Sequence, residues 1–443
     1  MGSGCYERAQ ERSFSVIGQW ENSNEPIAAV LLYTAYSNLA YIDMFLYTAS
    51  HKYNAPKYLK KKLEYFERSS VTPKKSGEAF TVGSIRSFAC TIGEGASLSE
   101  FDKFIQSVRE SAFYIAQTPE GIYSGYEDLV ACEIAFFKNQ LETAKSYAHS
   151  AILKARDKKQ YSIEAMARHY LLRAAVFEGD GYLIREILKQ LRVLSDNPDF
   201  WYHRMLYDLF TGQFYIQVGL PDLTPAWLIA DEKETDSGVH IPGRELGVKI
   251  KYYIAVKKYD RALTALNDFY PIRQYDRLFF GMLAISLLTA AVRCGTGDTA
   301  GAVRDFEKAY ELSFCGEFEM FFIELGKELH PLVTAALTQT DCNIPEEWLR
   351  AIDRKASIYA KKAAVIKSSV EKEENIKETF RLSERERTVL NDLYHGLSRD
   401  DVAANRYISI NTVNKSLQSV FIKLNAGNII DAVRIALENK LIE

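Results

Sequence analysis

One pattern recurs along most of this chain and constrains every fold it can adopt. Helices of one kind, opening on an apolar residue and continuing at the three, four, seven spacing of a single face, start near Leu59, Phe101, Leu141, Leu183, Leu223, Tyr259 and Ala300. The intervals between these starts are 42, 40, 42, 40, 36 and 41 residues. Such a period fits two helices with their turns, and a two-helix unit cannot cover its own apolar face. Stacked units share one core, so a helix-pair solenoid with a grooved inner surface is expected. In the clearest units, 122–157 and 245–271, Ala135, Ala144, Ala255 and Ala262 supply small side chains where helices cross. Pro221 and Pro225 make the unit near Leu223 irregular. The aromatic pairs Phe136–Phe137 and Tyr252–Tyr253 read as packing rather than as a ligand cage.

Composition agrees with helices throughout. Only 11 Pro and 24 Gly punctuate 443 residues, so an all-α protein of more than one cooperative unit is expected. The net charge of −3 excludes a globally basic nucleic-acid coat but permits a small DNA-reading module. Six cysteines (Cys5, Cys90, Cys132, Cys294, Cys315, Cys342) lie far apart without metal-finger spacing, which fits a reducing cytoplasm. The N-terminus lacks a basic stretch followed by an apolar run, so no export signal is expected. The apolar run 27–50 contains Asn38 and Asp43, which argue for a packed solenoid helix over a membrane span. The seven histidines, His51 and His240 among them, are dispersed; no phosphate loop, H-E-x-x-H or G-x-S-x-G occurs. No enzymatic activity and no cofactor are therefore expected.

After Pro345 one long helical pattern carries Trp348, Ile352, Ala356, Tyr359 and Ala363, then gives way to the charged stretch 371–379. The expected organisation is a repeat domain over 1–345, a connecting helix and charged linker over 346–379, and a C-terminal domain over 380–443. In the last of these, Ser383 with Glu386 and Ser398 with Asp401 have the spacing of two capping boxes, and Gly396 suits a left-handed helix stop. Val413, Leu417, Val420 and Leu424 share one face of a third helix, and Ala432, Val433, Ala436 and Leu437 supply a fourth, Asn428 to Asn439. Short helices with a tight turn between the second and third follow the helix-turn-helix plan.

The motifs Leu382-Ser-Glu-Arg-Glu386, Val389-Leu390, Gly396-Leu-Ser398, Val402-Ala403, Ile408-Ser409, Thr412-Val413 and Lys423-Leu424 resemble the LuxR-type (FixJ/NarL-like) DNA-binding domain. The resemblance implies that the third helix enters the major groove of double-stranded DNA. Asn414, Lys415 and Gln418 then face base edges, and Ser409, Thr412 and Lys423 face phosphates. Arg406 departs from the family's core leucine, Ser416 from a common histidine, Asn425 from glycine, and Asn414 from a frequent lysine. Eight basic and eight acidic residues leave 382–443 neutral, which favours binding as a homodimer on a paired site. In this family the fourth helix forms the dimer contact, and Ile429 is the candidate here. The repeats, above all Gly297-Asp-Thr-Ala-Gly-Ala-Val-Arg-Asp-Phe with Phe318-Glu-Met-Phe-Phe, resemble the tetratricopeptide-like solenoid of MalT-type activators. Those proteins carry an ATP-binding switch domain ahead of the solenoid; no phosphate loop for one occurs in this sequence, which is read as either a short form or the rear part of a longer protein. The expected function is a cytoplasmic bacterial transcription regulator whose solenoid groove takes a small-molecule or protein effector. The alternative is a scaffold whose C-terminal helices do not read DNA.

Overall fold

The computed structural model describes residues 4–45, 53–69, 97–117, 123–196, 203–230, 242–276, 279–379, 382–424, 426–438 and 441–442. Cys90, His51, His240 and Asn425 lie outside the described residues. Every regular element among the described residues is a helix, and the chain divides into two compact units, Met1–Ile366 and Lys367–Glu443.

The first unit opens with α1 (Gly4–Trp20), α2 (Pro26–Phe45), α3 (Ala55–Arg68) and α4 (Leu98–Ile115). Five antiparallel pairs follow: α5 and α6 (Tyr126–Phe137, Leu141–Asp157), α7 and α8 (Tyr161–Glu178, Gly181–Ser195), α9 and α10 (His203–Gln217, Ala226–Ile229), α11 and α12 (Pro242–Ala255, Tyr259–Asp276), α13 and α14 (Phe279–Thr296, Thr299–Leu312). Leu141 and Tyr259 are the first residues of their helices. Leu223 falls instead in a 3₁₀ turn, Pro221–Leu223, ahead of the four-residue α10. The two prolines there remove backbone donors and shorten the second helix.

A common device closes the turns. Asn139, Lys159, Gly179, Gly219, Lys257 and Gly297 all have positive φ. The residue after each donates its N–H to a carbonyl five residues back, as in Gln140 to Ala135 at 2.8 Å and Lys258 to Tyr253 at 2.8 Å. This is the six-to-one bond of the Schellman motif, which satisfies an otherwise orphaned carbonyl and reverses the chain within a few residues. In the N-terminal region, the polar groups of α2 also find partners. The Asp43 carboxylate accepts from the Ala55 N–H at 2.7 Å, and the Tyr36 hydroxyl donates to Glu21 at 2.9 Å. No helix of the described residues is long and apolar enough to cross a membrane.

The groove expected between the first helices of successive pairs is filled by the chain itself. Beyond α14 come α15 (Met320–Ile323), α16 (Leu329–Thr338) and α17 (Glu346–Thr379). Phe321 stacks on Phe137 of α5 at 4.2 Å, and Phe318 meets Phe280 of α13 at 4.8 Å. Glu324 receives two hydrogen bonds from Arg173 of α7, at 2.8 and 2.7 Å, and one from Gln217 of α9 at 2.9 Å. Tyr359 of α17 approaches Phe177 at 6.2 Å. Leu349, Ile352, Ala356, Tyr359, Ala363 and Ile366 form the buried face of α17, a heptad-like stripe that holds this helix on the pairs. The helix continues to Thr379, so the charged stretch 371–379 forms its last turns.

The second unit contains α18 (Glu384–Tyr394), α19 (Arg399–Asn405), α20 (Ile410–Leu424) and α21 (Ile429–Glu438). Both expected capping boxes are present, on Ser383 with Glu386 and on Ser398 with Asp401. Gly396 has a φ of +87° just after α18. Val389, Val402, Val413 and Leu417 form one small core, and Leu382, Leu390, Val420, Leu424, Ala432 and Ala436 form another.

Candidate nucleic-acid interface

The short turn between α19 and α20 runs through Arg406, Tyr407, Ile408 and Ser409. Tyr407 takes a positive φ of 53°, and the Ile408 N–H bonds back to the Ala403 carbonyl at 3.0 Å, which aims α20 across α19. Ser409 opens α20: its hydroxyl accepts from the Thr412 N–H at 3.2 Å and lies 2.8 Å from the Thr412 hydroxyl. Exposed hydroxyls beside the positive end of a helix dipole suit a phosphate.

Along α20, Val413, Ser416, Leu417, Val420 and Leu424 are buried, so the helix offers one face outward. Asn411, Lys415, Gln418 and Ile422 are exposed on that face, and Asn414 is half-buried at its edge. Lys415 and Gln418 have no hydrogen-bonding partner among the described residues. Lys415 and Gln418 thus offer uncommitted donors on this face, beside the apolar Ile422, the chemistry required to read base edges.

Besides the Ser409–Thr412 pair, two more of the expected contact residues are engaged within the protein. Asn414 Oδ1 accepts a hydrogen bond from Arg399 at 3.1 Å. The Lys423 ammonium lies 2.7 and 2.9 Å from the two carboxylate oxygens of Glu386 on α18, and it meets a phosphate only in competition with that carboxylate. Burial of Glu386 raises its pKa, but hydrogen bonds from Lys423, Ser419 and Ser383 outweigh this and bring it from 4.5 to about 2. A carboxyl depressed on folding stabilises the folded form above its ordinary pKa and loses that contribution as the pH falls through the folded value. The C-terminal unit is thus expected to lose stability between about pH 4.5 and 2. Glu386→Gln should flatten that part of the pH profile, as read by helix content during acid titration.

Arg406 does not fill the position of a core leucine. Its exposed guanidinium reaches back to Asp392 with two bonds of 2.8 Å, tying the end of α19 to α18. On α21, Ala432 and Ala436 lie in the core and Val433 packs against it, as the sequence predicts, and Leu437 alone departs. Ile429 packs against the first core, and Leu437 is 38% exposed rather than buried. The outward residue is Ile430, 79% exposed. Arg399 on α19 was not singled out by sequence, since its link to Asn414 spans 15 positions and leaves no local pattern.

Four helices on two small cores, with a tight turn delivering an exposed polar helix, define a helix-turn-helix module. Residues 381–436 match the GerE family, described as bacterial regulatory proteins, luxR family, so the chain carries a LuxR-type helix-turn-helix domain at this end. Over 71 residues the chain is 42% identical to the probable transcriptional regulator ycf29 of Cyanophora paradoxa. That region is 16% of this chain and 33% of the relative, so the chain spans about a third of the length of the curated protein it matches.

Proposed function

We propose that this protein is a DNA-binding transcription regulator whose α20 reads an operator in the major groove. The observation that carries the proposal is the uncommitted polar pair on the outward face of α20, Lys415 and Gln418, exposed opposite a buried apolar stripe in a LuxR-type domain. Asn414, Lys415 and Gln418 are assigned to bases, and Ser409, Thr412 and Lys423 to phosphates, Lys423 after leaving Glu386. Replacing Lys415 or Gln418 by Ala is expected to weaken binding to a specific site by about 1–3 kcal/mol. Gel shifts across salt concentrations check this, and unchanged affinity in both variants favours the scaffold reading.

The 1–366 unit is assigned the sensing role, an arrangement like that of MalT-type activators and one suited to a reducing cytoplasm. Its inner faces are already covered by residues 314–325 and α17. An effector must therefore either rearrange those residues or act on an outer surface, and it regulates only by binding two states unequally. With the DNA-binding module neutral, pairing on a two-fold site supplies the affinity that one copy lacks; the contact expected at Ile429 is assigned to the start of α21, where Ile429 packs partly on the core and its neighbour Ile430 is exposed.

A further inference from the structure

The hydrogen bond between Arg399 and Asn414 bears on which base α20 selects, and the inference drawn from it rests on the reading of α20 as the base-reading helix. Arg399 is the first residue of α19, is exposed, and has no ion-pair partner among the described residues. Its Nη1 donates to Asn414 Oδ1 at 3.1 Å. A guanidinium has donors and no acceptor, so the amide atom turned toward it is the oxygen, and the Asn414 NH₂ group points the other way. Half-burial of Asn414 restricts its alternatives.

An asparagine alone reads adenine by using both ends of its amide, with Nδ2 donating to N7 and Oδ1 accepting from the N6 amine. Here Arg399 engages the accepting end. What the groove meets is the Asn414 NH₂ group beside the unused N–H groups of Arg399, a surface in which donors predominate, with Oδ1 retaining one lone pair. The base that presents two neighbouring acceptors and no donor in the major groove is guanine, through N7 and O6. We infer that Arg399 and Asn414 act as one guanine-reading pair, with Arg399 the positioning residue that converts Asn414 from an adenine reader into a donor.

The test is selection of duplexes from a randomised pool by the full chain, in wild type, Arg399→Met, Asn414→Ala and Lys415→Ala forms. The wild type is expected to prefer guanine over adenine about tenfold at one position per half-site. Arg399→Met should shift that same position to adenine, and Asn414→Ala should flatten it. If Arg399→Met lowers affinity for every sequence alike and keeps the guanine, Arg399 is a phosphate contact and the inference is overturned. A wild-type preference for adenine at the position that Asn414→Ala flattens overturns it as well. In both of those cases DNA reading itself stands, as a change of selection in Lys415→Ala would show. A wild type that enriches no sequence removes the DNA-reading function, and the guanine pair with it.

Discussion

Replacing Arg173 by Met is expected to lower the stability of the 1–366 unit by about 3–5 kcal/mol, the cost of leaving one member of a buried ion pair without its partner. Arg173 and Glu324 are both almost fully enclosed, and their two hydrogen bonds join α7 to the segment that follows α14, 151 residues apart in sequence. Burial by itself would raise the Glu324 pKa, but the charge and hydrogen bonds of Arg173, aided by Lys251 and Gln217, hold it below the usual carboxylate range. The Arg173 guanidinium also lies over the Phe136 ring at 4.3 Å, so its loss removes a cation–π contact. Methionine fills much of the volume but leaves the buried Glu324 carboxyl without its main partner. Replacing Glu324 by Met as well removes the stranded carboxyl and should recover part of the loss, while Gln217 and Lys251, which also face Glu324, give up that partner. The depressed carboxyl contributes above its ordinary pKa, so the wild-type advantage should fade on acidification, whereas the double variant should not show that trend. Denaturant unfolding at several pH values checks both points; equal stability of Arg173→Met and wild type near neutral pH would refute the structural role.

How much of this was legible in the sequence depends on the range of the interaction. The repeat was legible because Leu141, Ala144, Ala148 and Ala151 recur at helical spacing and all but the first are buried. The capping boxes at Ser383 and Ser398 were legible because each spans three residues. The turns were less so: Asn139, Lys159 and Lys257 occupy left-handed positions where a sequence reading looks for glycine. The phase of α21 was ambiguous because Ile429, Ile430, Ala432, Val433, Ile435, Ala436 and Leu437 are apolar on every side of it. Only packing against Leu424 and Val420 selects Ala432 and Ala436 as the inner face. The filling of the groove by Phe318, Phe321 and Glu324, and the capture of Lys423 by Glu386, depend on long-range pairs that no local spacing reveals.

Gly316→Ala is expected to destabilise the 1–366 unit by about 2–6 kcal/mol, from backbone strain and overpacking together. Phe314, Cys315 and Gly316 form a left-handed turn with φ of 52°, 53° and 91°, closed by the Gly316 N–H donating to the Ser313 hydroxyl at 2.8 Å. A Cβ on Gly316 would lie 2.1 Å from the Trp348 Nε1. That indole cannot retreat easily, since Tyr310 lies 4.7 Å and Phe322 5.0 Å from it. Trp348 sits in the first turn of α17, so displacing it loosens the start of the helix that runs from the repeat unit to Thr379. Cys315→Gly separates the two causes. Cys315 shares the left-handed backbone but is exposed, so glycine there relieves strain while adding freedom to the unfolded chain, a net change of less than about 1 kcal/mol. Denaturant midpoints of both variants, followed by tryptophan fluorescence and helix content, provide the measurement. A Gly316→Ala protein as stable as Cys315→Gly would mean that the backbone of this turn yields to the added methyl and that Trp348 is not pinned.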